Sequence, residues 1–217
     1  DEERVMTKSP CPVRSRTYLL ALSLLFPTAC SGAMNSQTIP SFTENPSPRQ
    51  AYRLTLRIEG APGPLEVVSS AAQYDVVNHE CLPPPKDNPG GHTSPVPTHD
   101  IPFRLERVSD NEYAGVFHTD GMVDAEYHGR GVCRWELIQA QVQLRAPGDQ
   151  GDTHFIAKLN GDELPQGTPK AFHYWKARYP KEAGSEGYRD YGQPDLQKVP
   201  ADQRDDFFGV VLTAREA

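Results

Sequence analysis

The sequence predicts a mainly β domain, an antiparallel β-sandwich or barrel-like fold with long irregular loops and one disulfide. Three observations lead there. Short segments alternate apolar and polar residues with period two and are separated by turn signals, around nine of them along the chain. Twenty-one prolines and seventeen glycines among 217 residues disfavour long helices. Of the four cysteines, Cys81 and Cys133 remain as an even pair once the N-terminal stretch is read as a signal.

That N-terminal stretch is the first element. Lys8, Arg14 and Arg16 precede an apolar run over 18–26, which is too short for a stable bilayer anchor. Pro27-Thr-Ala-Cys30 follows. A basic start, a short apolar stretch and small residues before a cut describe a secretory signal over 1–29, with Met6 as its start. The cysteine at the cut resembles that of a bacterial lipoprotein signal, in which Cys30 is lipidated and becomes the first mature residue. Pro27 stands where such signals usually carry Leu. Cleavage without lipid and a buried apolar helix are the other readings of this stretch. Ser31 is not the Asp that retains a lipoprotein at the inner membrane, so the resemblance to lipoprotein sorting signals implies the outer membrane. The expected location is therefore the periplasm, anchored to the outer membrane by an N-terminal lipid. Residues 30–50 are rich in Pro, Ser and Asn with no apolar period, and read as a flexible tether. A single β-rich domain is expected over 51–217.

An oxidising compartment favours a bridge between Cys81 and Cys133 over two buried thiols. Such a bridge closes a loop of about 53 residues and stabilises by roughly 4 kcal/mol through chain entropy.

The remaining elements follow in order. In 51–59, Tyr52, Leu54, Leu56 and Ile58 alternate with Arg53, Thr55, Arg57 and Glu59, the pattern of a half-buried strand. Gly60 to Pro64 ends it. Residues 65–69 and 71–79 read as two strands, the second with Tyr74 and Val76 on one face. The stretch 81–100, with Pro83-Pro-Pro85 and Gly90-Gly91, reads as a long irregular loop. Residues 101–108 read as one strand with Ile101, Phe103 and Leu105 inward, and 112–119 returns from a turn at Ser109-Asp-Asn111. Asp120-Gly121 is a two-residue hairpin signal, with 122–127 pairing back. After Gly129-Arg-Gly131, the apolar positions are odd through Cys133, Trp135 and Leu137, then even from Ile138 to Leu144. A β-bulge between Leu137 and Ile138 would keep both halves on the core. Residues 153–159 and 207–214 read as strands, as does 170–179 with His173, Trp175, Ala177 and Tyr179 on one side. A second long loop spans 180–206, with a helical turn near Pro200 to Arg204.

Several chemistries are excluded or thinly supported. A net charge of −7 without a basic block leaves no footprint for nucleic acid. Neither Gly-x-Ser-x-Gly nor Ser-x-x-Lys is present, so no catalytic residue is assigned. His79, His92, His99 and Asp100 cluster along the chain around the 81–100 loop and are candidate metal ligands, but no His-Glu-x-x-His motif accompanies them. Asp120, Asp124 and Glu126 lack the order of a calcium loop. No cofactor is implied. Aromatics with arginine in Phe172-His-Tyr-Trp175 and Tyr188-Arg-Asp-Tyr191 are of the types enriched at interface hot spots, unless Phe172 and Trp175 are core. The candidate protein-binding residues are His92, His99, Asp120, Tyr188 and Tyr191.

Asn78-His-Glu-Cys81 with its Pro-rich loop, Asp124-Ala-Glu-Tyr-His-Gly129 and Gly131-Val-Cys-Arg-Trp135 resemble poorly characterised bacterial periplasmic lipoproteins, some of them immunity proteins that neutralise toxic effectors. The resemblance covers about residues 52–146. It implies a non-enzymatic, membrane-anchored lipoprotein that binds another protein. The alternative is an envelope enzyme or solute-binding domain with a metal in the 79–100 loop.

Overall fold

Two five-stranded sheets face each other in a computed structural model that describes residues 41–88, 91–93, 96–148 and 151–217, with the backbone alone at 86–88 and 91–93. The expected signal, Cys30 and the first part of the expected tether lie outside the described residues. The strands are β1 (Ala51–Glu59), β2 (Glu66–Val76), β3 (Lys86–Asn88), β4 (Gly91–Thr93), β5 (Thr98–Pro102), β6 (Leu105–Ser109), β7 (Glu112–His118), β8 (Trp135–Arg145), β9 (His154–Asn160), β10 (Lys170–Trp175), β11 (Arg189–Asp190) and β12 (Phe207–Glu216). The first sheet has the order β10-β12-β1-β7-β6 and is antiparallel throughout. The second has the order β11-β9-β8-β2-β5, with β11 parallel to β9. A small hairpin, β3-β4, stands apart. The fold is mainly β and not a closed barrel.

The alternation in β1 does what its period requires. Tyr52, Leu54, Leu56 and Ile58 are buried, while Arg53 and Arg57 are exposed. Val142, Leu144, Phe155 and Ala157 of the second sheet meet Phe208, Val210 and Leu212 of β12 in one core. Phe155 packs edge-on against Tyr174 and Phe208, with centroids 5.3 and 5.1 Å away. Three buried tyrosines span the two layers, each donating its hydroxyl to a carbonyl on the other side. Tyr74 of β2 reaches His118 at 2.5 Å, Tyr113 of β7 reaches Leu65 at 2.9 Å, and Tyr174 of β10 reaches Ile156 at 2.7 Å. Burial pushes the Tyr74 hydroxyl up to about 12, and burial, reinforced by the Asp190 charge, pushes Tyr174 well above the usual tyrosine value.

Several elements differ from expectation. Residues 66–76 form one strand in place of two, because a register shift between Val67 and Ser69 leaves Val68 unpaired and exposed without breaking the ladder. The expected strand over 101–108 is divided. Its first part pairs with β2 and its second with β7, so the chain changes sheets at Phe103 and Arg104. Asp120-Gly121 does not close a hairpin. The chain from 119 to 134 is irregular, with isolated bridges of Met122 to Glu44 and of Ala125 to Cys133. Gly121 is required there by contact, since a Cβ would fall 2.5 Å from the Tyr74 hydroxyl. In β10 the buried residues are Phe172 and Tyr174, and Trp175 on the opposite face is 44% exposed. The strand expected over 170–179 stops at Trp175, and Lys176–Arg178 form a 3₁₀ helix. The long 81–100 loop holds β3, β4 and the start of β5. The expected turn near Pro200 is a 3₁₀ helix over Ala201–Asp206.

The bulge in β8 is present. Gln139 pairs with Gln73 and Leu137 with Tyr74, which leaves Ile138 as the extra residue. It is exposed, so the even-numbered apolar face starts at Ala140. Gly161 lies against this bulge, where a Cβ would meet the Leu137 carbonyl at 2.1 Å.

Cys81 and Cys133 form the expected disulfide, with Cα atoms 5.3 Å apart and both side chains buried. Asn78 reinforces it by donating to the Val132 carbonyl at 2.9 Å and accepting from the Arg134 amide at 2.6 Å. Residues 41–50, expected within the tether, are instead strapped to the domain. Phe42 packs against Trp135 and Tyr127 at 4.9 and 5.1 Å. The Asp120 carboxylate accepts from the amides of Arg49 and Gln50 at 2.9 and 3.0 Å. The Asn45 amide group donates to the Asp120 carbonyl. Local composition made this stretch look like coil, whereas its partners lie about 70 residues away, at separations of 70, 71 and 75.

Two outcomes follow. Replacing both Cys81 and Cys133 by Ala should lower unfolding stability by roughly 4 kcal/mol in urea titrations; an unchanged midpoint would mean the bridge does not constrain the unfolded chain. Partial burial raises the Asp120 pKa, but the amides of Arg49 and Gln50 outweigh it and hold the group below the ordinary aspartate value. A depressed folded pKa gives stability that is present above the unfolded value and is lost as pH falls through the folded one. Amide exchange over 43–50 should therefore accelerate as pH drops below about 4 relative to the core, beyond the intrinsic pH dependence. Asp120→Asn should show that acceleration already at neutral pH.

Candidate protein-interaction surface

The 175–191 corner begins where β10 ends. Trp175 is the last residue of that strand, and the next three residues form a 3₁₀ turn that brings Arg178 back beneath its ring. The Arg178 guanidinium lies 5.9 Å from the Trp175 ring centroid and 5.1 Å from that of Tyr188. It is held from below by Asp190, which is 5% exposed and accepts from Arg178 Nη1 at 2.9 Å. Glu182 lies 3.1 Å from Arg178 Nε. The second Asp190 oxygen accepts from the Gly192 amide at 2.9 Å. Partial burial works against the Arg178 charge, but the hydrogen bond and charge of Asp190 outweigh it and raise its pKa. The loop is tied further by the pairing of His173 with Gln193 and of β11 with β9. Tyr191, directly after β11, is 55% exposed.

The corner is thus a fixed arginine held against two aromatic rings, with a third aromatic, Tyr191, next to Asp190 in sequence. Its anchor, Asp190, is polar and buried, and its exposed parts are large, with Trp175 braced by Arg178. Such groups bind a partner with little loss of side-chain freedom. Tyr188 and Tyr191 were legible as candidates. Arg178 was not, because a strand was expected through Tyr179. The spacing of Trp175 and Arg178 by three, which a 3₁₀ turn superposes, was the available signal.

The remaining sequence candidates fall elsewhere. His99 bonds Glu44 of the strap at 2.9 Å, and Asp120 holds the same strap, so these two are brought together as a structural fastening. Asp124 accepts from the Trp135 amide and Glu126 from the Gly131 amide. His79 is exposed on its 3₁₀ turn, and Asp100 is exposed next to His99. His92 is described by its backbone alone, opposite Asp87. Among the described residues no group of three His, Cys, Asp or Glu side chains is placed to hold a metal ion. No helix among them is long and apolar enough to cross a membrane. Comparison with protein-family models, curated proteins and solved structures finds no match.

Arg178→Met keeps the stem that covers Trp175 but strands the Asp190 carboxylate. It should destabilise by about 2–3 kcal/mol in chemical denaturation, below the ~3–5 kcal/mol of a fully buried pair because the guanidinium is partly exposed. A change within about 0.5 kcal/mol would remove Arg178 as the support of the corner.

Proposed function

We propose that this chain is a periplasmic lipoprotein, anchored to the outer membrane through lipidated Cys30, whose β-sandwich binds another protein and neutralises it in the manner of an immunity protein. The observation that carries the binding part is the corner of Trp175, Arg178, Tyr188 and Tyr191. The Trp175 indole, sent outward by strand alternation, lies against an arginine fixed on a buried carboxylate. Trp, Tyr and Arg are the residues that dominate binding energy at protein interfaces. The anchoring part is supported by the basic, apolar and small-residue pattern that ends at Cys30. The disulfide fits an oxidising compartment.

A photo-reactive amino acid at position 175 should trap an envelope or imported protein in living cells, and Tyr191→Ala should reduce the yield severalfold without lowering thermal stability. Absence of any adduct in the native host, with the protein folded and abundant, would reject the corner as an interface. In the same cells Cys30→Ala should move the protein from the membrane to the soluble periplasm; unchanged membrane association would reject the lipid anchor.

A further inference from the structure

We infer that the outer face of the first sheet, centred on Arg53 and Arg215, is a docking surface for an acidic protein segment in extended conformation. The inference rests on the protein-binding reading and names the chemistry of the partner. Arg53, Thr55 and Arg57 face outward from β1, and Val211, Thr213 and Arg215 face outward from β12. The strands register Arg53 against Arg215 and Thr55 against Thr213. Together they line a hollow of about 610 Å³. Trp175 belongs to the same face, since it registers with Phe207 on the outward side of β12.

Two arginines directly opposite each other on neighbouring strands have Cβ atoms roughly 4.5–5.5 Å apart, and like charges so placed destabilise a sheet. Of the arginines, the ion pairs among the described residues engage Arg57, Arg107, Arg145 and Arg178, and none reaches Arg53 or Arg215. No carboxylate among the described residues is in direct contact with this cationic pair, although Glu112 and Glu216 stand on the rim, in a chain with 29 acidic and 22 basic residues. A side-chain carboxylate entering the hollow would meet two guanidinium forks, the geometry of charge-assisted bidentate bonding. Arg57, four residues along β1 from Arg53, lies roughly 13 Å further on. That spacing matches two acidic residues four apart in an extended segment, the second of which would displace the exposed Glu59 carboxylate that lies 2.6 Å from Arg57. Val116, 42% exposed, registers with Arg53 from β7 and offers apolar contact beside the pair.

The rim argues for a protein segment over a membrane or a nucleic acid. Glu112 and Glu216 line the hollow and Glu59 sits on Arg57. A flat anionic surface or a phosphate backbone would bring its charges against these carboxylates, whereas single carboxylates can reach the arginines between them.

The test titrates the purified protein at low salt with a short glutamate-rich peptide, and separately with a lysine-rich peptide of equal length, inorganic phosphate, and vesicles rich in anionic lipid. The glutamate peptide should bind saturably, perturb the amides of Thr55 and Thr213, and weaken steeply with salt. Arg53→Thr with Arg215→Thr should reduce its affinity at least roughly tenfold while leaving Tm equal or higher, because a like-charge pair is removed. No saturable binding, binding undiminished in the double variant, or preferential binding of vesicles or phosphate would each overturn the inference. The outcomes separate from those at Trp175. A trapped partner with no glutamate-peptide binding rejects the acidic segment and retains protein binding. Arginine-dependent peptide binding without a trapped partner retains the acidic ligand and rejects the corner.

Discussion

The hydroxyls of Tyr74, Tyr113 and Tyr174 cross an apolar core and end on carbonyls of the opposite layer. Each phenol in the interior must find a hydrogen-bond acceptor, and a buried hydroxyl left without one costs about 1–3 kcal/mol. The acceptors available are main-chain carbonyls at strand ends and edges. The requirement therefore fixes more than three contacts. Tyr174 aligns β10 with β9 across the core. Tyr74 holds the end of β7 near His118 and leaves room only for a glycine at position 121. Tyr113 ties β7 to the chain entering β2. Phe155, Tyr174 and Phe208 then fill the interior around these struts.

With β10 aligned this way, Phe172 and Tyr174 point inward, and strand alternation sends His173 and Trp175 outward. The exposure of Trp175 is thus a consequence of what Tyr174 must reach. Arg178 and Asp190 turn that exposed indole into a fixed feature. The same alternation in β1 and β12 brings Arg53 and Arg215 together on the shared outer face. The other end of the molecule is organised differently. There the disulfide, Asn78 and the strap over 41–50 close a region that has little regular structure, and its carboxylates are spent on backbone amides. This is why the acidic residues around Asp120, which offered themselves as ligands in the sequence, serve as fastenings.

Legibility followed the range of the interaction that decides each element. β1, β7, β9 and β12 were readable because alternation is local and their inner faces are apolar. The bulge in β8 was readable as a parity change at Leu137 and Ile138, although which of the two would be the extra residue was not. The division of 101–109 between two sheets was hidden, since Ile101, Phe103 and Leu105 keep one parity through the crossing. Asp120-Gly121 misled because glycine there answers a distant tyrosine hydroxyl and not a local turn. In the candidate site, Tyr188 and Tyr191 were legible by type, while Arg178 and the Arg53–Arg215 pair needed spatial neighbours to become visible.

The β class and the inward faces of strands such as β1 and β8 are written in the chain alone, because period-two patterning is local, whereas the pairing of Cys81 with Cys133 followed from sequence only together with the reading of Cys11 and Cys30 as parts of a signal. Only the tertiary structure decided which strands are neighbours, where the chain changes sheets, and which polar groups are used internally. Those outcomes depend on how buried hydroxyls and carboxylates find partners far away in sequence. Trp175 and the arginines on its face are left at the surface by that same settlement of the core.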